Sequence, residues 1–185
     1  MTISIDEFKA GMRRLAAGVC LITTSQGEGQ RSGLTATAVC SVTAEPPTLL
    51  VCVNRKNGSY AAIKQAGIFA VNVLACDDRP LADRFASPIP AEEKFGQGLW
   101  QTLATGAPVL ESALVGFDCR LTSAIEAGSH DILLGSIEGV KVRSTEVKPL
   151  MFAHGGYGGF SAANTPPMAD MLWMPTWPNQ VDSWW

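Results

Sequence analysis

Gly33-Leu34-Thr35-Ala36-Thr37-Ala38-Val39-Cys40-Ser41-Val42-Thr43-Ala44-Glu45-Pro46-Pro47 is the stretch on which the reading of this chain turns. It reads as one long strand closed by a Pro-Pro stop. Strand side chains alternate with period two. Leu34, Ala36, Ala38, Cys40 and Val42 therefore share an apolar face suited to a core, while Thr35, Thr37, Val39, Ser41 and Thr43 share the other. That second face carries small hydroxyls and little bulk. It suits a flat polar ligand lying against hydroxyls and backbone amides, and it equally suits the solvated face of an antiparallel sheet.

Upstream, residues 19–24 form a short β-rich run, and Gly27-Glu28-Gly29 is a turn that pairs it with the Thr-rich strand as a hairpin. Before that, Ser4 and Glu7 make a capping box. Ile5, Phe8, Met12, Leu15 and Ala16 keep helical spacing, and Gly18 is placed to end the helix. Downstream, residues 48–53 are continuously apolar, as in a strand buried on both faces. Asn54-Arg55-Lys56-Asn57-Gly58-Ser59 is a polar turn with two cations, and Ser59 is placed to cap a helix over 60–65 that stops at Gly67. A cationic loop entering a helix N-terminus can hold a phosphate; the other reading is a solvated turn.

Residues 68–74 read as another buried strand and 77–87 as a helix. Residues 88–106 are irregular or weakly helical, with Phe95 and Trp100 as anchors, and Pro108-Val109-Leu110 is a short extended piece. Residues 113–125 and 131–142 are two longer strands joined by a turn over 126–129, with His130 at its exit. A last strand over 149–152 runs into the glycine-rich His154-Gly155-Gly156-Tyr157-Gly158-Gly159. Many strands, few helices and hairpin-length links predict a mainly β fold, an antiparallel barrel with appended helices. No GxGxxG or Walker pattern follows a strand, which argues against a Rossmann or P-loop nucleotide site.

At 185 residues the chain holds one domain, or one domain with an extension. A hydrophobic fraction of 46% with 17% charged residues fits a compact globule with apolar surface to hide in an oligomer. The net charge of −3 argues against a nucleic-acid partner. No apolar run reaches membrane-spanning length, and residues 1–6 lack signal-peptide character, so a cytoplasmic location is expected. Cys20, Cys40, Cys52, Cys76 and Cys119 form no CxxC and read as buried small hydrophobes. Neither His130 nor His154 stands in metal-ligand spacing, so no metal is expected. Residues 161–185 carry Trp173, Trp177, Trp184 and Trp185 among four prolines. This Pro- and Trp-rich extension follows a domain over 1–160 and reads either as a docking segment or as a partly disordered end.

Six separated blocks resemble the short-chain flavin reductase family. They are Phe8-x4-Arg13-x4-Gly18 through Thr24, the Gly33 to Pro47 stretch, Phe69 to Leu74, Ala82-Asp83-Arg84-Phe85-Ala86, Gly128-Ser129-His130-Asp131 with Leu134 to Ile137, and Pro149 to Phe152 with Tyr157. Each is weak alone; their shared order and spacing carry the resemblance. It implies an FMN-binding split β-barrel, normally a homodimer, that supplies reduced flavin to two-component monooxygenases. By position, Thr35, Ala36, Thr37, Ala38, Ser41 and Val42 would touch the isoalloxazine ring. Lys56, Asn57 and Ser59 would hold the ribityl phosphate, with Arg84 and Phe85 completing that end. His130 matches the histidine near the nicotinamide, and Tyr157 the aromatic that closes over the dinucleotide. Gly156 stands where relatives often carry a cation.

The implied reaction is hydride transfer from NADH or NADPH to FMN, with FAD as the other flavin. Such chemistry asks the protein to stack two rings and to stabilise charge growing on the reduced one. Two alternatives remain at this level. One is a flavoprotein that keeps its flavin and reduces a bound corrinoid or quinone; the other is a flavin-binding protein without turnover.

Overall fold

The computed structural model describes residues 3–27, 29–145 and 147–160; the Pro- and Trp-rich extension from 161 onward lies outside them. In chain order the elements are α1 (Ile5–Met12), β1 (Ala17–Gly18), β2 (Cys20–Ser25), β3 (Arg31–Ala36), β4 (Val39–Ala44), β5 (Pro47–Asn54), α2 (Gly58–Ala66) and β6 (Ile68–Val73). A 3-10 turn (Cys76–Asp78), α3 (Arg79–Ala86), α4 (Ala91–Phe95), β7 (Trp100–Thr102) and β8 (Pro108–Leu110) follow. The rest is β9 (Val115–Ala127), β10 (His130–Val142), β11 (Leu150–Ala153) and β12 (Gly156–Gly159).

Seven strands form one antiparallel sheet in the order β3-β2-β6-β9-β10-β5-β4. It wraps around a core that includes Ile22, Val51, Ile63, Phe69, Val71 and Leu133. The two edges, β3 and β4, are consecutive in the chain yet do not pair with each other. The stretch read as one strand is therefore two, broken at Thr37 and Ala38, where Ala38 O accepts a 3.0 Å hydrogen bond from Cys52 N of β5. The chain has to cross from one edge of the curled sheet to the other, and a continuous strand cannot do so. The predicted apolar face holds only in β3: Leu34 is buried, whereas Cys40 and Val42, on an edge strand with no sheet beyond it, are exposed.

Other boundaries shift for local reasons. The capping box forms as expected, with Glu7 N donating to Ser4 Oγ at 3.1 Å and Ser4 N to Glu7 Oε2 at 2.8 Å. α1 nonetheless ends at Met12 instead of Gly18, because Ala17 and Gly18 become β1 and pair with Phe152 and Met151 of β11. The cap of α2 is Asn57, whose Oδ1 accepts from Ser59 N at 2.9 Å. Ser59 is buried and faces β3 instead. β5 alternates, with Leu49, Val51 and Val53 buried and Leu50 and Cys52 half-buried, so only one of its faces is core. The glycine-rich stretch after β11 folds back as β12 through His154 (φ 53°) and Gly155 (φ 80°), a turn whose two central residues both need positive φ. Of the cysteines, Cys20 and Cys119 are buried, Cys52 and Cys76 partly covered, and Cys40 exposed.

A second core lies outside the barrel. Phe85 of α3, Phe95 of α4 and Trp100 of β7 pack together, with Phe85 to Phe95 ring centroids 5.0 Å apart. Gly33 lets this cluster approach β3: a Cβ there would sit 2.7 Å from Phe85 Cε1. No helix among the described residues is long and apolar enough to cross a membrane.

Candidate functional site

The unpaired edges leave a cleft of about 390 Å³ at the β3–β4 break. One wall is Leu34, Thr35, Ala36, Thr37 and Ala38. Because β3 is an edge strand, one of its rows of backbone N–H and C=O groups has no partner strand and faces outward. Val19 and Phe152 add apolar surface; Asn54, Asn57, His130 and Tyr157 add polar groups. This mix of apolar wall and few oriented polar groups is typical of small-ligand sites.

Three elements set the polar side chains. The β9–β10 hairpin is two residues longer in pairing than expected: Ala127 pairs with His130, leaving only Gly128 and Ser129 in the turn. The same His130 is paired with Asn54 of β5. This cross-strand register brings two residues far apart in the chain to one rim. Ser129 Oγ lies 2.9 Å from His130 Nδ1. The β11–β12 hairpin carries Phe152 and Tyr157, whose rings meet edge-on at 5.4 Å. Arg79 of α3 stands 5.5 Å from the centroid of the Tyr157 ring. Burial, then the Asp83 carboxylate, hold the Tyr157 phenol above its ordinary pKa, against the opposing pull of Arg79.

Seven predicted residues line this one cleft: Thr35, Ala36, Thr37, Ala38, Asn57, His130 and Tyr157. Thr35 Oγ1 donates its hydrogen to Ala82 O at 2.7 Å, which leaves only its lone pairs for a ligand. Ser41 lies on β4 along a different, apolar groove with Leu49, Phe117 and Ile137. Val42, also on β4, is 47% exposed. Lys56 is exposed in the turn, with its backbone N–H donating to Asn54 Oδ1. Arg84 is half-buried on α3, and Phe85 is 1% exposed inside the aromatic core, so its ring faces no ligand cleft. Ser59 borders a second, smaller cleft with Ser32, Gly58 and Lys94. Asn54, Phe152 and Lys94 were missed. Asn54 and Phe152 show only in strand register, and Lys94 lies in a segment with weak periodicity.

The residues present fit a flavin. A flat amphipathic ring matches the apolar wall beside unpaired edge amides, and the smaller polar cleft beyond Gly33 and Asn57 matches a phosphate end. No group of His, Cys, Asp and Glu side chains suited to a metal ion occurs among the described residues.

Comparison with known proteins agrees with this geometry. Residues 12–161 match the flavin reductase like domain. The chain is 44% identical over 146 residues to an FMN reductase (NADH), RutF, of Agrobacterium fabrum, covering 79% of this chain and 83% of that one. It superposes with a TM-score of 0.82 on a crystal structure from Haemophilus somnus described as a flavin reductase, at 39% identity over 85% of this chain and 100% of that one. It also superposes with a TM-score of 0.78 on BorF, the flavin reductase component of a bacterial two-component tryptophan halogenase, at 28% identity, with 86% of this chain and all of BorF covered. The split between β3 and β4, the cleft that it opens and the match over nearly the whole described chain have one source: the protein belongs to the flavin reductase-like domain family.

Proposed function

We propose that this chain transfers hydride from NADH to FMN bound at the β3–β4 break and passes the reduced flavin to an oxygenase component. The observation that carries the reading is the cleft, where an unpaired strand edge, His130 and the Phe152–Tyr157 pair converge. Its support from relatives is that one is named an NADH-dependent FMN reductase and another serves a two-component halogenase.

When bound, FMN supplies the hydride-accepting ring. The backbone of residues 35–38 along the open edge would hold that ring and offer N–H donors to its polar edge. Phe152 and Tyr157 cover the cleft and keep water from the reacting faces. His130 orients the nicotinamide side at the rim. Positioning would be the protein's main contribution, since hydride transfer between two bound cofactors needs no protein nucleophile. Asn57 and Ser59 serve the phosphate end.

The same reading includes a homodimer in the cytoplasm. α1 has no buried residue, and Ile5, Phe8, Met12 and Leu15 lie 49–71% exposed. Beside it runs an apolar groove with Ala38 and Phe152. A second copy would cover both. The reading also includes a domain over residues 1–160 with residues 161–185 as its extension.

Oxidation of NADH and NADPH by purified protein, with and without added FMN and FAD, tests the function. Turnover that saturates with free FMN and prefers NADH is expected. Tight FMN binding without turnover would favour a carrier role. If His130→Ala leaves both hydride transfer and NADH affinity unchanged, its assigned role is lost.

A further inference from the structure

α1 buries none of its residues against the rest of the described chain. A free helix of eight residues is marginal in water, so its apolar face needs a cover. The groove beside it, about 370 Å³, is lined by Phe8, Met12, Leu15 and Phe152 together with Lys9 and Arg13, and by no carboxylate. The ion pairs among the described residues join Arg55, Arg79 and Arg120 to carboxylates and leave both of these cations out. The occupant that suits such a groove is apolar and acidic, because apolar area and charge are then matched together.

The chain itself holds a segment of that composition. Residues 161–185 carry four tryptophans, three methionines and Leu172, and their only charged side chains are Asp170 and Asp182. The segment follows Phe160, just past β12, an outer strand of the β1-β11-β12 sheet. The other outer strand, β1, supplies Ala17 to the groove. Neighbouring strands lie about 4.8 Å apart, and an extended chain of this length spans roughly 80 Å. The groove is therefore within reach in the same chain or in a second copy. Pro166-Pro167 near the start favours extended backbone and disfavours an immediate turn back onto the same domain. Exchange of one identical segment between two copies covers both α1 faces through a single twofold contact.

We propose that residues 161–185 of each copy fill the α1 groove of the other, with the tryptophans on Phe8, Met12 and Leu15 and the two aspartates against Lys9 and Arg13. This rests on the second copy proposed above and names the part of it that covers α1. Thr37, Ala38 and Phe152 border both this groove and the larger cleft, so the exchanged segment lies beside the flavin site.

Light-scattering mass and tryptophan emission, followed together on flavin-free full-length protein, test this, since four of the five tryptophans lie in the segment. A dimer with blue-shifted emission is expected, and dilution to monomer should red-shift the emission over the same concentrations. Lys9→Glu with Arg13→Glu should raise the dimer dissociation constant about 10-fold, and so should Asp170→Lys with Asp182→Lys. All four changes together should bring it back to within about threefold of wild type, a recovery that a folding defect in either variant does not produce. Emission that stays blue-shifted in the monomer would put the segment on its own chain and overturn the exchange. An unchanged dimer in the Asp170→Lys, Asp182→Lys protein would remove the segment as the cover and leave the second copy standing. A wild-type monomer at every concentration would remove the second copy itself, a result distinct from both.

Discussion

Tyr60 Oη donates a 2.6 Å hydrogen bond to Asp131 Oδ2, tying α2 to the strand whose first residue is His130. Asp131 is 6% exposed, and its other oxygen has no hydrogen-bond partner, lying 3.8 Å from Arg55 Nε. Arg55 in turn pairs with Glu126 at 2.6 Å and donates to the Gly128 carbonyl in the hairpin turn. Its backbone N–H reaches Ser129 O at 3.0 Å. One buried carboxylate thus clamps the loop after β5 to the tip that presents His130. Accepting from the phenol, it also raises the Tyr60 pKa.

Asp131→Asn should loosen that tip without touching the flavin wall. The expected result is a several-fold rise in KM for NADH, FMN affinity within about twofold, and a stability loss of about 1–3 kcal/mol from the disturbed buried group. Steady-state kinetics beside urea unfolding separates the two effects. A stability loss with KM unchanged would mean that the clamp serves folding alone.

Phe85 is resemblance-assigned to the phosphate end, yet its ring is core. Phe85→Ala should cost about 3–5 kcal/mol, as for other fully buried aromatics. Gly33→Ala should cost about 1–3 kcal/mol through its clash with the Phe85 ring. Combining Gly33→Ala with Phe85→Leu should recover part of the Gly33→Ala loss, because the two residues touch. Additive losses in urea denaturation would contradict the contact.

Burial pushes the Cys20 and Cys119 thiols up to about 12. A thiol whose folded pKa is raised favours the native state fully below its unfolded pKa and loses that contribution as pH climbs toward the folded value. Stability should therefore hold to about pH 8 and fall between about pH 9 and 12, by about 1.4 kcal/mol per pH unit for each thiol. Urea midpoints across that range check it, and Cys119→Ala should flatten the slope. Among the five thiols, exposed Cys40 should react first with a disulfide reagent in native protein.

The exposed face of α1 should hold the dimer together. Phe8→Glu with Met12→Glu should shift light-scattering mass from dimer to monomer while leaving the fold intact, because neither side chain is buried within one chain. A wild-type monomer would remove the dimer.

Local chemistry was legible without coordinates. The Ser4–Glu7 box, the β2–β3 hairpin, Gly67 ending α2 in the left-handed conformation and the long β9–β10 pair all follow from side chains acting on their near neighbours. Strand alternation by itself pointed to Thr35 and Thr37 as the ligand face, whereas Ala36 and Ala38, which it put on the core face, line the cleft as well and were named only through the family resemblance. The Asn57 cap replaced Ser59 because two neighbouring residues can each make that bond, and burial of Ser59 against Gly33 decided between them.

What the sequence by itself determined was the supply of strands, their alternation and the order of the blocks that mark the family. Only the tertiary structure decided where the long strand breaks, that His130 faces Asn54, that Phe85 turns inward and that Lys94 reaches Gly33 O. The physical reason is range. Capping and alternation act over a few residues and are written locally, whereas a sheet's edges, its register and the burial of a charge exist only once segments far apart in the chain have closed on one core.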